Sequence, residues 1–345
     1  MRLGVLDIGS NTVHLLLVDA FPGARPTAYA DHKRPMSLIE HLDDDGAITQ
    51  EGQRSLIEFI HGAVAFAKAN DAADMISFCT SAIRDAANGP EVLERITEET
   101  RVHLTVLSGD QEAAMTYFAV RRWHGWHVEN LLNFDIGGGS FEMSFGTDEL
   151  PTTAVSVPLG AQRLTREFFP DPDPPSAQQV ETLDDYIYSV LKKYRKMFPK
   201  KLPDNTVVTG TSKTFRSLAR VAGAAPSTDG LFVPRKLRAK DLLMWNQTMA
   251  LMTETQRAQL PGVSDIRARQ VLAGGMVAQA AMKIFKVKKL SICPWALREG
   301  LILGRLDALR VQGRVAQTKD SARVEGVDLT SDDQRPGFSL GVTGG

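Results

Sequence analysis

Cysteine is scarce in this sequence: Cys79 and Cys293 are its two cysteines, each inside a short apolar segment. That excludes a disulfide framework, and no Cys/His spacing suits zinc, so two buried free thiols in a reducing cytoplasm are expected. No apolar run is long enough to span a bilayer, and no membrane partner is expected. Residues 1–6 run straight into a strand-like pattern, without a charged stretch and apolar core, so no signal peptide is expected. Net charge is nearly absent too, at -1, which argues against a nucleic-acid partner. What is present is the composition of a globular protein, 43% hydrophobic and 23% charged, and 345 residues allow two domains.

A small net charge leaves room for an uneven distribution. Lys192, Lys193, Arg195, Lys196, Lys200 and Lys201 form one basic cluster. Arg235, Lys236, Arg238 and Lys240 form a second, and Lys283, Lys286, Lys288 and Lys289 a third. Each reads first as a solvated face. The first and third are also candidates to line a polyanion groove.

The chain opens as strand, turn, strand: residues 2–7, then Ile8-Gly9-Ser10-Asn11, then 14–20. A helix at 49–70 follows, with Thr49 as N-cap and an apolar face through Leu56, Phe59, Ile60, Ala63, Val64 and Ala67. A strand (75–80), a helix (90–101), a strand (103–107) and a helix capped by Ser108 (109–123) complete the first half. Then the opening returns: a strand at 130–135, Ile136-Gly137-Gly138-Gly139-Ser140, and a strand at 141–146. "LGVLDIGSN" is echoed by "LLNFDIGGGS", which points to an internal duplication. The expected domains are 1–125 and 126–309, with 310–345 as a disordered tail. The second half continues with strands at 153–157, 206–209 and 290–293, and with helices after Gly160 and at 176–198, 264–285 and 295–309. The last helix is a candidate to pack back on the first domain.

A strand that ends in Asp-Ile-Gly and turns sharply suits phosphate. Glycine brings backbone close to a ligand, and successive amide N–H groups can point at one anion. Asp7, Gly9, Ser10 and Asn11 form one such loop, and Gly137, Gly138, Gly139 and Ser140 the other. Asp135 and Glu142 bracket the second loop and are candidate ligands for Mg²⁺, which takes one or two carboxylates plus substrate phosphates. Glu112, in the first turn of a helix, is a candidate base that the helix dipole would keep ionised. Arg84, after a strand, is a candidate phosphate clamp. Lys213, in the third Gly/Thr loop at 210–214, is another candidate phosphate contact. Arg298 and Glu299 are expected to pair with each other, and His14, His32 and His41 to be structural.

Together these segments resemble the exopolyphosphatase / guanosine pentaphosphate phosphohydrolase (Ppx/GppA) family, within the actin–hexokinase–Hsp70-like superfamily. The resemblance runs over residues 2–309 and rests on "DIGSNTVHLLLVDA", "TSAIRDAANG", "LSGDQEAAMTYFAV", "DIGGGSFEMS" and "PWALREGLILGRL". It implies an α/β fold of two ribonuclease-H-like domains with the active site between them. It further implies Mg²⁺-dependent hydrolysis of terminal phosphoanhydride bonds. Glu112 matches the family's catalytic glutamate, Asp135 and Glu142 the acids flanking its second loop, and Arg84 its arginine. Gln111 departs from the pattern, since many members carry an acid there. The additional C-terminal domains of longer members are missing, and the chain looks most like the short exopolyphosphatases of actinobacteria. Short chains cleaved distributively are therefore expected. The expected partner is inorganic polyphosphate or guanosine pentaphosphate, and a homodimer is compatible with the chain. A kinase of the same superfamily and a non-catalytic polyphosphate sensor are the rival readings.

Overall fold

Two sheets with the same wiring build the protein, whose computed structural model describes residues 1–21 and 23–325. The first half contains β1 (Arg2–Ile8), β2 (Thr12–Asp19), β3 (Thr27–Pro35), α1 (Gln50–Ala69), β4 (Asp74–Cys79), α2 (Ser81–Arg84), α3 (Gly89–Thr100), β5 (Thr105–Val106) and α4 (Gly109–His124). The second half begins with β6 (Asn130–Ile136), β7 (Phe141–Gly146), β8 (Thr153–Val157), α5 (Ala161–Phe168), α6 (Ala177–Arg195), β9 (Thr206–Gly210) and α7 (Ser212–Val221). It continues with β10 (Lys236–Arg238), α8 (Ala239–Met249), α9 (Glu254–Ala258), α10 (Asp265–Ala268), α11 (Val271–Ile284), β11 (Lys289–Ile292) and α12 (Leu297–Glu325).

The strand orders are β3-β2-β1-β4-β5 and β10-β11-β9-β6-β7-β8. Read from β8, the second sheet repeats the first and adds β10 at its far edge. In both, an antiparallel meander of three strands is followed by parallel additions. The equivalence extends to single residues. Asp7 pairs with His14 across β1–β2, and Asp135 with Glu142 across β6–β7. Thr80 (φ -121°, ψ -153°) and Thr211 (φ -101°, ψ -155°) leave β4 and β9 in the same extended conformation, each before a helix.

β1 is buried on both faces, so its sequence is apolar without alternation. Leu6 and Ile8 face the core under α1 and α3. Leu3 and Val5 face the other way, onto Leu301, Ile302 and Leu306 of α12. α12 thus lies on the first sheet. α4 joins both halves: Met115 belongs to that same cluster, while Tyr117 and Val120 pack with Leu131 of β6. Buried Arg121 on α4 donates to the carbonyls of Val128, Gly146 and Asp148 in the second half and to the Tyr117 hydroxyl, so each guanidinium nitrogen has a partner. Ile302 is 1% exposed. Ile302→Ala is expected to lower unfolding free energy by about 2–5 kcal/mol in urea denaturation, through lost burial and the cavity left behind.

Several expectations need correction. Residues 27–35 form a strand that the sequence conceals, because β3 is an edge strand with no buried residue to give it alternation. β5 is two residues long. The helix expected over 264–285 is two, with the chain turning at Gln270, whose Nε2 donates to Asn11 Oδ1 (2.9 Å). The expected tail at 310–345 begins as helix: α12 continues to Glu325, carried by strong helix formers such as Arg, Gln, Ala and Lys without needing an apolar stripe. Residues 326–345 lie outside the described residues.

The basic clusters do not line a groove between the halves. β9 and β11 run parallel toward the loop end of the sheet. Lys196, Lys200 and Lys201 precede β9, and Lys286, Lys288 and Lys289 lead into β11, so they occupy the opposite end. Arg238, paired with Lys289, joins them. Among the described residues no helix is long and apolar enough to cross a membrane.

Candidate functional site

The two glycine loops meet face to face at the seam of the two halves. Each is closed by the same bond, Gly9 N–H to Thr12 O (3.2 Å) and Gly137 N–H to Ser140 O (2.9 Å). Glycine is required in the second by close approach. A Cβ on Gly138 would stand 2.5 Å from Asn11 Nδ2, and one on Gly139 would stand 2.5 Å from Ser81 Oγ. Ser81 and Ser10 hydroxyls are themselves 3.1 Å apart. Ser10, Asn11 and Ser140 are buried, so the loops form one polar seam that two domains share.

Glu112 enters this seam from the first turn of α4. Ser108 caps that helix reciprocally: its Oγ accepts from Gln111 N–H (3.2 Å), and Gln111 Oε1 accepts from Ser108 N–H (2.9 Å). Gln111, the departure noted in the sequence, is therefore a capping residue. The Glu112 side chain is 9% exposed and pairs with Arg84 Nη1. Arg84 also donates from Nη1 to Leu107 O (2.8 Å) and from Nε to Asp85 Oδ1 (3.1 Å). Its Nη2 makes no hydrogen bond among the described residues. Burial first, and then the charge of Glu142, push the Glu112 carboxyl well above the usual range, against the opposing pull of Arg84. Desolvation and the like charge of Glu142 thus act against the helix dipole, while Arg84 acts with it.

Asp135 and Glu142 are direct partners in the β6–β7 ladder, which puts both carboxylates on one face. Burial raises Asp135 to about 6, while Thr211 Oγ1 donates to its Oδ2. Burial and Asp135 raise Glu142 to about 7, while Ser156 Oγ donates to its Oε1 (2.7 Å). Two buried carboxylates, one of them raised further by the charge of the other, form a place where a cation is stabilised, and their oxygens suit a hard divalent ion. Among the described residues no group of three or more His, Cys, Asp or Glu side chains stands close enough to hold a metal. This pair therefore fits an ion completed by substrate oxygens and water.

The seam's other flank is cationic. Asp7 is held by Arg298 Nε (3.1 Å), and Arg298 Nη1 lies 2.8 Å from His14 Nδ1. Burial, with Arg298 beside it, lowers His14 to about 4, so His14 is neutral and accepts that bond. The expected Arg298–Glu299 pair does not form: Glu299 Oε2 caps Ala296 N–H instead (2.8 Å). Lys213 is lowered to about 8 by burial and by Arg267, Arg298 and Arg216, with Asp7 opposing. Arg267 is lowered to about 10 by burial and Arg216. Among the described residues Lys213, Arg216 and Arg267 form no ion pair, so uncompensated positive charge collects beside the first loop. Arg216 was not foreseen, though it lies three residues after Lys213 on the same helical face. Arg267 had no local signal at all.

A cavity of 280 Å³ opens on the Glu112 side, bordered by Arg84, Asp85, Gly109, Gly139, Ser140 and Ser156. A larger one, of 570 Å³, lies at Met1, Arg2, Phe21 and Asp71, at the opposite end of the first sheet, and includes none of these groups. Cys79 borders the site as an inert thiol, pushed up to about 12 by burial and Glu112.

Comparison with known proteins gives this geometry a context. The family model described as "Ppx/GppA phosphatase family" matches residues 18–309. Exopolyphosphatase 1 of Mycobacterium tuberculosis (strain ATCC 25618 / H37Rv) is 48% identical over 309 residues, covering 89% of this chain and 89% of that protein. Among solved structures, an exopolyphosphatase from Cytophaga hutchinsonii superposes with a TM-score of 0.79 at 24% identity, over 89% of this chain and 98% of that one. The Aquifex aeolicus Ppx/GppA family member gives 0.74 at 24%, over 89% and 97%. The structural likeness bears on the fold, which is the duplicated ribonuclease-H-like, actin-like one.

Proposed function

The chain belongs to the Ppx/GppA phosphatase family, and on that premise we propose that it is an exopolyphosphatase, releasing orthophosphate from the ends of inorganic polyphosphate. The observation that carries the reading is the meeting of Glu112, Asp135 and Glu142 with two phosphate loops at one seam. The terminal phosphoryl group rests on the loops at Gly9–Asn11 and Gly137–Ser140, and the chain behind it lies toward Lys213, Arg216 and Arg267. Asp135 and Glu142 would hold Mg²⁺, which when bound neutralises phosphoryl oxygens. Arg84 keeps Nη1 on Glu112 and offers Nη2 to the phosphoryl group, so one guanidinium orients the base and binds the substrate. Glu112 takes the proton of the attacking water at a carboxylate oxygen. The buried thiols suit a reducing compartment, and we place the enzyme in the cytoplasm.

Phosphate release from polyphosphate, guanosine pentaphosphate and ATP, with and without Mg²⁺, tests the reading. Polyphosphate is expected to be the best substrate, in Mg²⁺ alone. The large lysine clusters lie at the far end of the second sheet, which leaves Lys213, Arg216 and Arg267 to hold the chain behind its end. Intermediate lengths are therefore expected to accumulate on a gel, and KM to rise with salt. Preferential cleavage of guanosine pentaphosphate would overturn the substrate assignment. Long chains passing to orthophosphate with no intermediates at moderate salt would overturn the distributive pattern.

A further inference from the structure

We propose that Arg163 is a positioning residue for this reaction. Through Asp85, across the seam of the two halves, it sets Arg84 and with it Glu112. The proposal rests on the roles given above to Arg84 and Glu112. Its basis is a continuous run of contacts that crosses the seam.

Arg163 sits in the first turn of α5, and that turn is fastened to the second glycine loop. The backbone N–H groups of Gln162 and Arg163 both donate to Gly138 O (3.0 Å each), and Ala161 N–H donates to Gly137 O (3.0 Å). From this anchor the side chain reaches into the first half, where Arg163 Nη2 donates to Asp85 Oδ2 (2.7 Å). The other oxygen of Asp85 accepts from Arg84 Nε (3.1 Å), and Arg84 Nη1 meets Glu112. The Asp85 carboxylate is thus divided between two guanidinium groups, one from each half. α5 grips the first half at two more points, Gln162 Nε2 to Ser37 Oγ and Arg166 Nη1 to Ile39 O (3.1 Å). One short helix therefore both follows the phosphate loop and reaches the side chains that hold the base.

The chemistry of each link supports positioning over stabilisation. The side chains of Arg163 and Asp85 are 38% and 39% exposed, and an ion pair at that exposure adds little to folding. A carboxylate is free to turn about its last torsion. With Arg163 holding one oxygen, the other is aimed at Arg84 Nε. Without Arg163 that aim is lost, and Arg84 keeps Leu107 O and Glu112 but not its lateral support.

The test compares Arg163→Gln, Asp85→Asn, the double variant and Arg163→Lys, with kcat, KM and Tm measured for each and Arg84→Gln as reference. Each single variant is expected to lose up to about 10²-fold in kcat, the scale that small misplacements reach. KM and Tm are expected to stay close to wild type. The double variant is expected to be no worse than the weaker single one, because both break the same link. Arg163→Lys is expected to recover part of kcat by restoring a donor to Asp85. Unchanged kcat in Arg163→Gln would overturn the proposal, while an inactive Arg84→Gln would leave the role of Arg84 standing. A rise in KM with kcat intact, and losses that multiply in the double variant, would also overturn it, since Arg163 would then bind substrate directly. An Arg84→Gln protein as active as wild type would remove the reading on which the proposal stands.

Discussion

Glu112→Gln is expected to lower kcat by about 10²–10⁴-fold, the usual contribution of a positioned proton acceptor, with KM changed little. The amide keeps the shape of the carboxylate and can still meet Arg84 Nη1, through its oxygen. It cannot take a proton. Glu112 also stands in a setting that raises its proton affinity, since it is buried and faces Glu142. A carboxylate pushed upward in this way is a stronger base than a solvated one. Among the described residues Arg84 is the hydrogen-bond partner of the Glu112 side chain, and the amide oxygen keeps it, so thermal unfolding should change little. Steady-state phosphate release with polyphosphate, beside a melting curve, checks both parts. Turnover near that of the wild type would exclude Glu112 as the base.

Asp135→Asn and Glu142→Gln are expected to raise the Mg²⁺ concentration needed for half-maximal activity. Each loses a charged oxygen ligand, so the shift should exceed the roughly 10–100-fold that outer-sphere partners cost. Burial raises both carboxyls, to about 6 and about 7, and repulsion by Asp135 adds to the rise of Glu142, so ionising the pair without a cation is unfavourable. Neutral replacements relieve that repulsion, and the variants should unfold no earlier than the wild type while turning over far less. In the wild type, a chelator is expected to abolish activity and added Mg²⁺ to restore it. A metal titration of phosphate release decides the matter. Unchanged metal dependence in both variants would show that other groups hold the ion. Activity in the absence of any divalent metal would overturn this part of the chemistry.

Local chemistry was legible in the sequence where one segment carried the whole signal. The two Asp-Ile-Gly turns could be read because strand, turn and strand are contiguous, and their matching places in two sheets follow from the repeat. The cap at Ser108 and the cap at Thr49 were legible for the same reason. Contacts between distant segments were not. Arg298 looked like a partner for its neighbour Glu299, yet it crosses the chain to Asp7 because α12 lies on β1. Arg267 becomes part of the seam only because α10 brings it beside Arg216. Gln270 gave no sign that it reaches Asn11. Charge runs misled in the opposite sense. Lys283 to Lys289 and Lys192 to Lys201 suggest a polyanion track, but strand direction carries them away from the loops. The field acting on Glu112 was legible only in part, because a helix terminus is visible in sequence and a facing Glu142 is not.

The central claim is that the seam cleaves terminal phosphoanhydride bonds, with Glu112 as the base. The most direct measurement follows the products of polyphosphate in Mg²⁺ from the first seconds, for the wild type and for Glu112→Gln side by side. The account predicts orthophosphate as the sole small product of the wild type, one released for each unit of chain shortening, and almost none from the variant. Short oligophosphates appearing ahead of orthophosphate, or equal orthophosphate release by both proteins, would contradict it.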